Sequence, residues 1–117
     1  MHPKSPKWLD DIVRSCEFIY EHTDRMSLDD YLENQLVRLA VERNLTIIDE
    51  AASRLRAIDP ETASGITDIH QIIGLRNRLV HGYDDEVDNR IVWRSVRQSI
   101  PMLRDEAEAL LSAEDSQ

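Results

Sequence analysis

The sequence is poor in the residues that cross-link or interrupt a chain. It has one cysteine, three glycines and four prolines among 117 residues. The single Cys16 cannot form an internal disulfide, which excludes a small secreted scaffold and favours a cytoplasmic protein. A content of 41% hydrophobic residues is enough for a core, which excludes a disordered chain. Because single domains usually run about 100 to 150 residues, we expect one domain over residues 1–117.

Long apolar runs and positive charge are also scarce. No stretch approaches the ~20 apolar residues of a membrane span, and the first residues lack the apolar centre of a signal peptide. We therefore expect a soluble protein without a membrane partner. Lysine and arginine number 14 against 23 acidic residues, a net charge of -9. This balance disfavours non-specific binding to nucleic acid, so any RNA site must be local.

Two helices are predicted in the first third of the chain. The first has Ser5 as its N-cap and Pro6 at its first position. Its apolar face consists of Trp8, Leu9, Ile12, Val13, Cys16, Ile19 and Tyr20. A second helix is predicted after Ser27, because Asp30, three residues later, resembles a capping box with aspartate in place of Glu or Gln.

The middle of the chain predicts a long buried helix followed by a loop. No glycine or proline occurs from Leu36 to Ile58. The apolar stripe of this helix consists of Val41, Leu45, Ile48, Ala52 and Leu55, widened by Leu39, Ile47, Ala51 and Ile58. Residues 59–65 predict a loop, since Pro60 cannot continue a helix and Gly65 admits a positive φ.

A further helix is predicted to begin at Thr67 or Asp68 and to end at Gly82. Its apolar residues are Ile69, Ile72, Ile73, Leu75, Leu79 and Val80. Gly74 would lie inside this helix, where glycine costs ~1 kcal/mol relative to alanine. We therefore expect close helix packing at Gly74 to compensate.

The last segment predicts a helix that follows an acidic connector, residues 84–88. Its apolar positions are Val92, Val96, Ile100, Leu103, Ala107, Leu110 and Leu111. Pro101 lies inside this helix and is expected to kink it. No period-two apolar run bounded by hairpin signals predicts a strand. The predicted fold is therefore all-α, an up-and-down bundle of four to five helices.

The candidate functional residues are concentrated in the stretch RNRLVHGY, residues 76–83. It contains two guanidiniums, an amide, an imidazole and a phenol, contributed by Arg76, Arg78, Asn77, His81 and Tyr83. The rigid donor fork of arginine fits a phosphate, and histidine, with an ordinary pKa of ~6.5, exchanges protons near neutrality. The combination predicts phosphate chemistry that needs no metal.

No metal or cofactor site is predicted. The chain has no HExxH pattern, no cysteine pair and no glycine-rich phosphate loop. The remaining histidines, His2, His22 and His70, are isolated in the sequence, and His70 is expected to be a solvated surface residue.

Helical geometry raises the question of how the cluster works. On a regular helix, at ~100° per residue, Asn77 and His81 share a face, whereas Arg76 and His81 diverge by ~140°. Either the last turn next to Gly82 is distorted, or the two groups cooperate across a two-fold interface. We favour a homodimer, because cleavage calls for both a general base and a general acid while each motif has one imidazole.

Structural roles are the alternative for the candidate cluster and for a second group of arginines in the last helix. Cations and polar groups at a helix C-terminus often satisfy free carbonyls without catalysing anything. Further along, Arg90, Arg94 and Arg97 with Trp93 among them could form a basic stripe with a stacking aromatic. Ion pairing of these arginines to the acidic connector, with Trp93 in the core, is the expectation we favour.

RNRLVHGY resembles the signature of the HepT-like toxins, an Arg, four residues, a His, any residue and a Tyr. These toxins belong to the HEPN superfamily of all-α ribonucleases. VERNLTIIDEAASRL and IVWRSVRQSIPMLRDEAEALL also resemble family blocks in the right order, so that the resemblance extends from Trp8 to Leu111. Asp49 stands where such proteins often have glycine, and Ile69 where tryptophan is usual, departures that concern packing rather than the reactive cluster.

The resemblance implies a HEPN-type bundle that forms a homodimer and cuts RNA, a tRNA or an mRNA, without metal. The 2'-hydroxyl would attack the adjacent phosphate. His81 would act as the acid/base and Arg76 would hold the phosphate, while Asn77 would orient the site with Arg78 in support. The implied partner is a minimal nucleotidyltransferase antitoxin that adds AMP to Tyr83. The alternative is a non-catalytic helical subunit that binds such a partner and helps to place its nucleotide.

Overall fold

The computed structural model describes residues 1–74, 80–81 and 86–115, with side chains for 1–74 and 88–113. The helices in these ranges are α1 (Ser5–Thr23), α2 (Leu28–Glu33), α3 (Gln35–Ile58), α4 (Pro60–Ala63), α5 (Ile69–Ile72) and α6 (Asn89–Asp115). Two strands of two residues each, β1 (Val80–His81) and β2 (Glu86–Val87), pair antiparallel. The fold is all-α, as predicted; within the described ranges, this short pairing and the turn α4 are elements that the sequence did not predict.

Three long helices build the core. Helix α1 packs against both α3 and α6, and the buried apolar residues of all three form one cluster. The largest fully buried apolar side chains are Leu9, Ile12 and Ile19 from α1, Tyr31 from α2, Val41, Ile48 and Leu55 from α3, and Val92 from α6. The predicted helical spacing therefore identifies most of the core, as expected for amphipathic helices. Within the described residues, no helix combines the length and apolar character that a membrane span requires.

Several predicted boundaries are confirmed. Ser27 and Asp30 form the capping box, with the Ser27 side chain accepting from the Asp30 N–H at 3.1 Å and the Asp30 carboxylate accepting from the Ser27 N–H at 3.0 Å. Helix α3 ends at Ile58. Helix α6 contains Pro101, as predicted, and the kink expected there stays a prediction.

Other local predictions are wrong. Lys4, not Ser5, occupies the N-cap position of α1, and the Ser5 hydroxyl donates instead to the Asp59 carboxylate at 2.7 Å. Residues 60–63 form the single turn α4 rather than a loop, because the Asp59 side chain caps it by accepting from the Thr62 N–H at 3.2 Å. A capping carboxylate is enough to stabilise one turn that begins with proline.

Two residues expected on apolar faces are exposed. Leu39 of α3 is 56% exposed and Tyr20 of α1 is 57% exposed. Leu39 lies roughly 160° around α3 from Val41, nearly opposite the buried stripe. Tyr20 shares the buried face of α1 but lies in its last turn, and spacing alone does not decide whether a neighbouring helix covers such a side chain.

Candidate active site

The chain enters the candidate cluster from a helix much shorter than predicted. Asp68 occupies the N-cap position of α5 with a left-handed φ of 56°, and its side chain does not cap the helix. The helix ends at Ile72, Ile73 is extended, and Gly74 has a φ of +85°. The prediction of a single helix from residue 67 or 68 to Gly82 is therefore wrong.

The reason for Gly74 also differs from the expectation. A Cβ built at this position would meet nothing within 4 Å, so close helix packing does not require glycine here. The positive φ does, because a side chain in that region of φ and ψ clashes with the backbone. The glycine marks a change of chain direction after α5.

One side chain holds this change of direction in place. Asp49 of α3 accepts a hydrogen bond at 3.0 Å from the backbone N–H of Gly74. The sequence marked Asp49 only as a departure from the family pattern and gave it no role. No spacing rule connects positions 25 residues apart, so the sequence held no signal for this contact.

The backbone of His81 lies in a strand pair rather than in a helix. His81 pairs with Glu86, and Val80 pairs with Val87, in an antiparallel register. The angular argument that separates Arg76 from His81 by ~140° assumes a regular helix through both residues. That assumption fails, since α5 ends at Ile72 and His81 belongs to β1.

The other predicted site residues, Arg76, Asn77, Arg78 and Tyr83, lie outside the described residues, as does the side chain of His81. The elements that flank the cluster are α5 before it and the start of α6 after it. The proposed roles of these side chains therefore rest on their chemistry and on the family resemblance.

Helix α6 begins directly after the strand pair. The Asp88 carboxylate accepts from the Ile91 N–H at 3.2 Å, as an N-cap side chain does. The side-chain oxygen of Asn89 is buried and has no hydrogen-bond partner among the described residues. Arg90 and Arg94 are exposed on the first two turns of this helix. Their expected pairing with the acidic connector, residues 84–88, involves mostly side chains outside the described part of the chain, and it stays a prediction.

The predicted alternative of a basic stripe with a stacking aromatic does not fit Trp93 and Arg97. Trp93 is half-buried against the core, with its ring centroid 5.2 Å from that of Tyr31. The Arg97 guanidinium lies 5.3 Å from the Trp93 ring centroid and donates to the carbonyls of Thr23 and Asp24 at 3.5 and 3.3 Å. Arg97 therefore satisfies carbonyls at the end of α1 and does not present an open stacking platform.

The described part of the chain offers no competing reactive centre. Burial raises the pKa of the Cys16 thiol to about 12, and the neighbouring Glu17 carboxylate adds to the rise. A thiol in that state is a poor nucleophile. No group of three or more His, Cys, Asp or Glu side chains that could hold a metal ion occurs among the described residues. His70 is exposed, as predicted.

Comparisons with known proteins agree on one family. The profile of the family described as "Ribonuclease HepT-like" matches residues 12–110. A protein of Caldanaerobacter subterraneus named a putative RNase is 31% identical over 112 residues, which cover 95% of this chain and 98% of that protein. A Thermococcus cleftensis protein named "Probable ribonuclease HepT" is 31% identical over 107 residues, 88% of this chain and 92% of its own. A Methanocaldococcus jannaschii protein named a putative RNase is 30% identical over 103 residues, 86% of this chain and 91% of its own. No solved structure matches the chain significantly.

Proposed function

Since the chain belongs to the HepT-like ribonuclease family, we propose that it is a metal-independent endoribonuclease toxin of a toxin–antitoxin pair. The observation that carries the proposal is the extent of the match, which covers residues 12–110 and so includes the whole cluster from Arg76 to Tyr83. Relatives named as ribonucleases align along almost their entire length, so no additional domain of theirs accounts for the name.

The chemistry proposed for the cluster is transesterification within the RNA strand. The 2'-hydroxyl loses its proton to a base and attacks the adjacent phosphorus, and the bond to the 5'-oxygen of the next nucleotide breaks. The products are a 2',3'-cyclic phosphate and a 5'-hydroxyl, which takes up one proton. His81 is the proposed proton carrier and Arg76 the ligand of the phosphate oxygens, because an arginine fork binds phosphate at two points. Asn77 and Arg78 are proposed to orient the substrate.

A homodimer is proposed to bring two such clusters into one cleft. The support is chemical, since one imidazole cannot remove a proton from the 2'-hydroxyl and at the same time protonate the leaving oxygen. Two-fold symmetry supplies a second imidazole without any additional sequence. Regulation is proposed to come from a minimal nucleotidyltransferase that adds AMP to Tyr83.

The test measures RNA cleavage by the purified protein in buffer with excess EDTA. Loss of a positioned acid/base costs about 10²- to 10⁴-fold, so His81→Ala should abolish detectable cleavage. His70→Ala is the matched control, because this exposed imidazole lies on α5 just before the cluster. It should retain wild-type activity. Full activity of His81→Ala would remove His81 from the mechanism, and loss of activity on chelation would favour a metal enzyme. Absence of cleavage by the wild type would favour the non-catalytic subunit.

A further inference from the structure

A groove of about 410 Å³ lies between α1 and α6, away from the candidate cluster along the chain. Its walls include Glu17, Tyr20 and Glu21 from α1 and Pro101, Arg104 and Asp105 from α6. A second hollow of about 180 Å³ shares Tyr20 and Pro101 with the first and extends to Asp24 and Arg97. We refer to both hollows together as the Tyr20 groove.

The floor of the Tyr20 groove is apolar and its most prominent side chain is aromatic. Ile100 at the floor is 3% exposed, whereas Tyr20 is 57% exposed although its helical position belongs to an apolar face. Tyrosine is enriched at the centres of protein interfaces, because its ring contributes apolar area and its hydroxyl tolerates water. An exposed tyrosine over a buried aliphatic floor is therefore suited to covering by another side chain.

The charge around the groove is negative and partly unpaired. Arg104 lies 3.8 Å from the Glu17 carboxylate and 3.4 Å from that of Asp105, and Arg97 is bonded to carbonyls at the end of α1. Both arginines are thus already engaged. Glu21 and Asp24 form no ion pair with any described residue. Their two carboxylates leave an uncompensated negative edge.

Pro101 leaves one backbone carbonyl of α6 without its usual hydrogen-bond donor. In an α-helix the N–H of residue 101 would donate to the carbonyl of Arg97, and proline has no N–H to give. Residues 97 and 101 both line the hollow nearer to the end of α1. The Arg97 carbonyl therefore lacks its usual intrahelical donor.

We propose that the Tyr20 groove docks a cationic segment of a partner protein, in which an Arg or Lys meets the Glu21 and Asp24 carboxylates and an adjacent apolar side chain covers Tyr20. A cation at this position can also lie over the tyrosine ring. The negative edge repels nucleic acid. A second copy of this chain, with its net charge of -9, would bring like charge to the edge. This inference does not depend on the proposed ribonuclease activity.

The test uses a capped synthetic helical peptide with leucines and arginines on one face, and the same peptide with glutamate in place of arginine. Titration into the isotope-labelled protein should shift the backbone amide signals of the second half of α1 and the middle of α6. Fluorescence anisotropy then gives the affinity of the arginine peptide for each variant. Glu21→Lys should weaken it about tenfold or more, because like charges facing each other at an interface are strongly unfavourable.

Glu33→Lys is the matched control, because it makes the same change of net charge at an exposed residue of α2 outside the groove. It should alter the affinity less than about twofold at near-physiological salt, where distant charges are screened. Tyr20→Ala, at an exposed position that leaves the fold intact, should also weaken binding. Three results would overturn the proposal. The arginine peptide could bind Glu21→Lys and Glu33→Lys with equal affinity, or it could shift amide signals outside α1 and α6. The glutamate peptide could also bind the wild type as tightly as the arginine peptide does. If sedimentation gives a smaller mass for Glu21→Lys than for the wild type, the groove is a contact between two copies of this chain, which would also overturn the proposal.

Discussion

Asp49 on α3 accepts a hydrogen bond at 3.0 Å from the backbone N–H of Gly74, which is 25 residues further along the chain. Gly74 stands two residues before Arg76, the first residue of the candidate cluster, and its φ of +85° turns the chain after α5. A side chain of one of the core helices therefore anchors the segment that leads into the cluster. We therefore expect the stability of α3 and the placement of the cluster to be linked through this contact.

Asp49→Ala tests that link. The change leaves the half-buried Gly74 N–H without its acceptor, which should cost about 1 to 3 kcal/mol in the free energy of unfolding. RNA cleavage should fall about tenfold or more, because small displacements of reacting groups are expensive. Asp49→Asn keeps the accepting oxygen and is the matched control. Urea unfolding and cleavage rates measure both effects, and equal cleavage by the two folded variants would show that the contact does not place the cluster.

The sequence predicts the long elements and fails where the chain turns. Residues 36–58 contain no glycine or proline, and Asp59 followed by Pro60 ends the helical pattern, so α3 could be predicted almost to the residue. The apolar residues of α5 have the same spacing whether the helix stops at Ile72 or continues, and spacing cannot tell these cases apart. Gly74 is compatible with a helix that stops at Ile72 and with one that continues, since glycine tolerates a positive φ as well as a helix interior.

The candidate cluster shows the same division. Its chemistry can be read from residue types alone, because phosphate binding and proton transfer need particular side chains. Its geometry cannot be read in this way, because His81 lies in a strand that pairs with Glu86, five residues further along the chain. Cross-strand partners are set by turn geometry and by burial, and a two-residue strand has too little alternation to be detected in sequence.

Asp59 is expected to make stability depend on acid pH. Its carboxylate accepts from the Thr62 hydroxyl at 2.6 Å, from the His2 N–H at 2.9 Å and from the Ser5 hydroxyl at 2.7 Å. The hydrogen bonds from Thr62, His2 and Ser5 hold the pKa of Asp59 well below its ordinary value of 3.8. A lowered folded-state pKa contributes stability above the unfolded value, and this contribution is lost as the pH falls below it.

Asp59→Asn should therefore destabilise the protein by about 1 to 3 kcal/mol at neutral pH, because the strong charged acceptor is lost. The difference from the wild type should narrow as the pH falls from about 4 to about 2. Thermal or urea unfolding across this range measures it. The exposed Asp29→Asn serves as control and should change little. A constant difference between wild type and Asp59→Asn over the whole range would contradict the role given to this carboxylate.

Dimerisation is expected to create the active site. Sedimentation should show a species of about twice the chain mass of 13.6 kDa at micromolar concentration, as stable homodimers bury more than ~1,200 Å². If one cleft needs the His81 of both protomers, mixing equal amounts of wild type and inactive His81→Ala should inactivate the mixed dimers. Random exchange would then leave about a quarter of the wild-type rate, since only about a quarter of the dimers keep both imidazoles.

Two results would count against this arrangement. A purely monomeric species at micromolar concentration would remove the dimer. A mixture that forms mixed dimers but keeps about half of the wild-type rate would keep the dimer and show that each protomer acts alone. Mass spectrometry of the intact complexes distinguishes mixed dimers from unmixed ones.

AMP addition to Tyr83 is expected to switch off RNA cleavage. An AMP group on its hydroxyl would place a phosphodiester charge and a nucleoside within a few residues of Arg76 and Arg78. There it would compete with the RNA phosphate for the same donors. Incubation with ATP, magnesium and a minimal nucleotidyltransferase of the proposed kind should add the mass of one AMP and abolish RNA cleavage. Tyr83→Phe should stay unmodified and active, since loss of one hydroxyl costs only ~1 kcal/mol of stability.

The control for this prediction is Tyr20→Phe. Tyr20 is 57% exposed on α1 and is therefore accessible to any unselective transferase. If the enzyme recognises the motif, Tyr20→Phe takes up AMP like the wild type, whereas Tyr83→Phe takes up none. Equal modification of Tyr83→Phe and wild type would move the acceptor to another hydroxyl. A modified protein that still cuts RNA at the wild-type rate would show that an AMP group at the motif does not block the cleft.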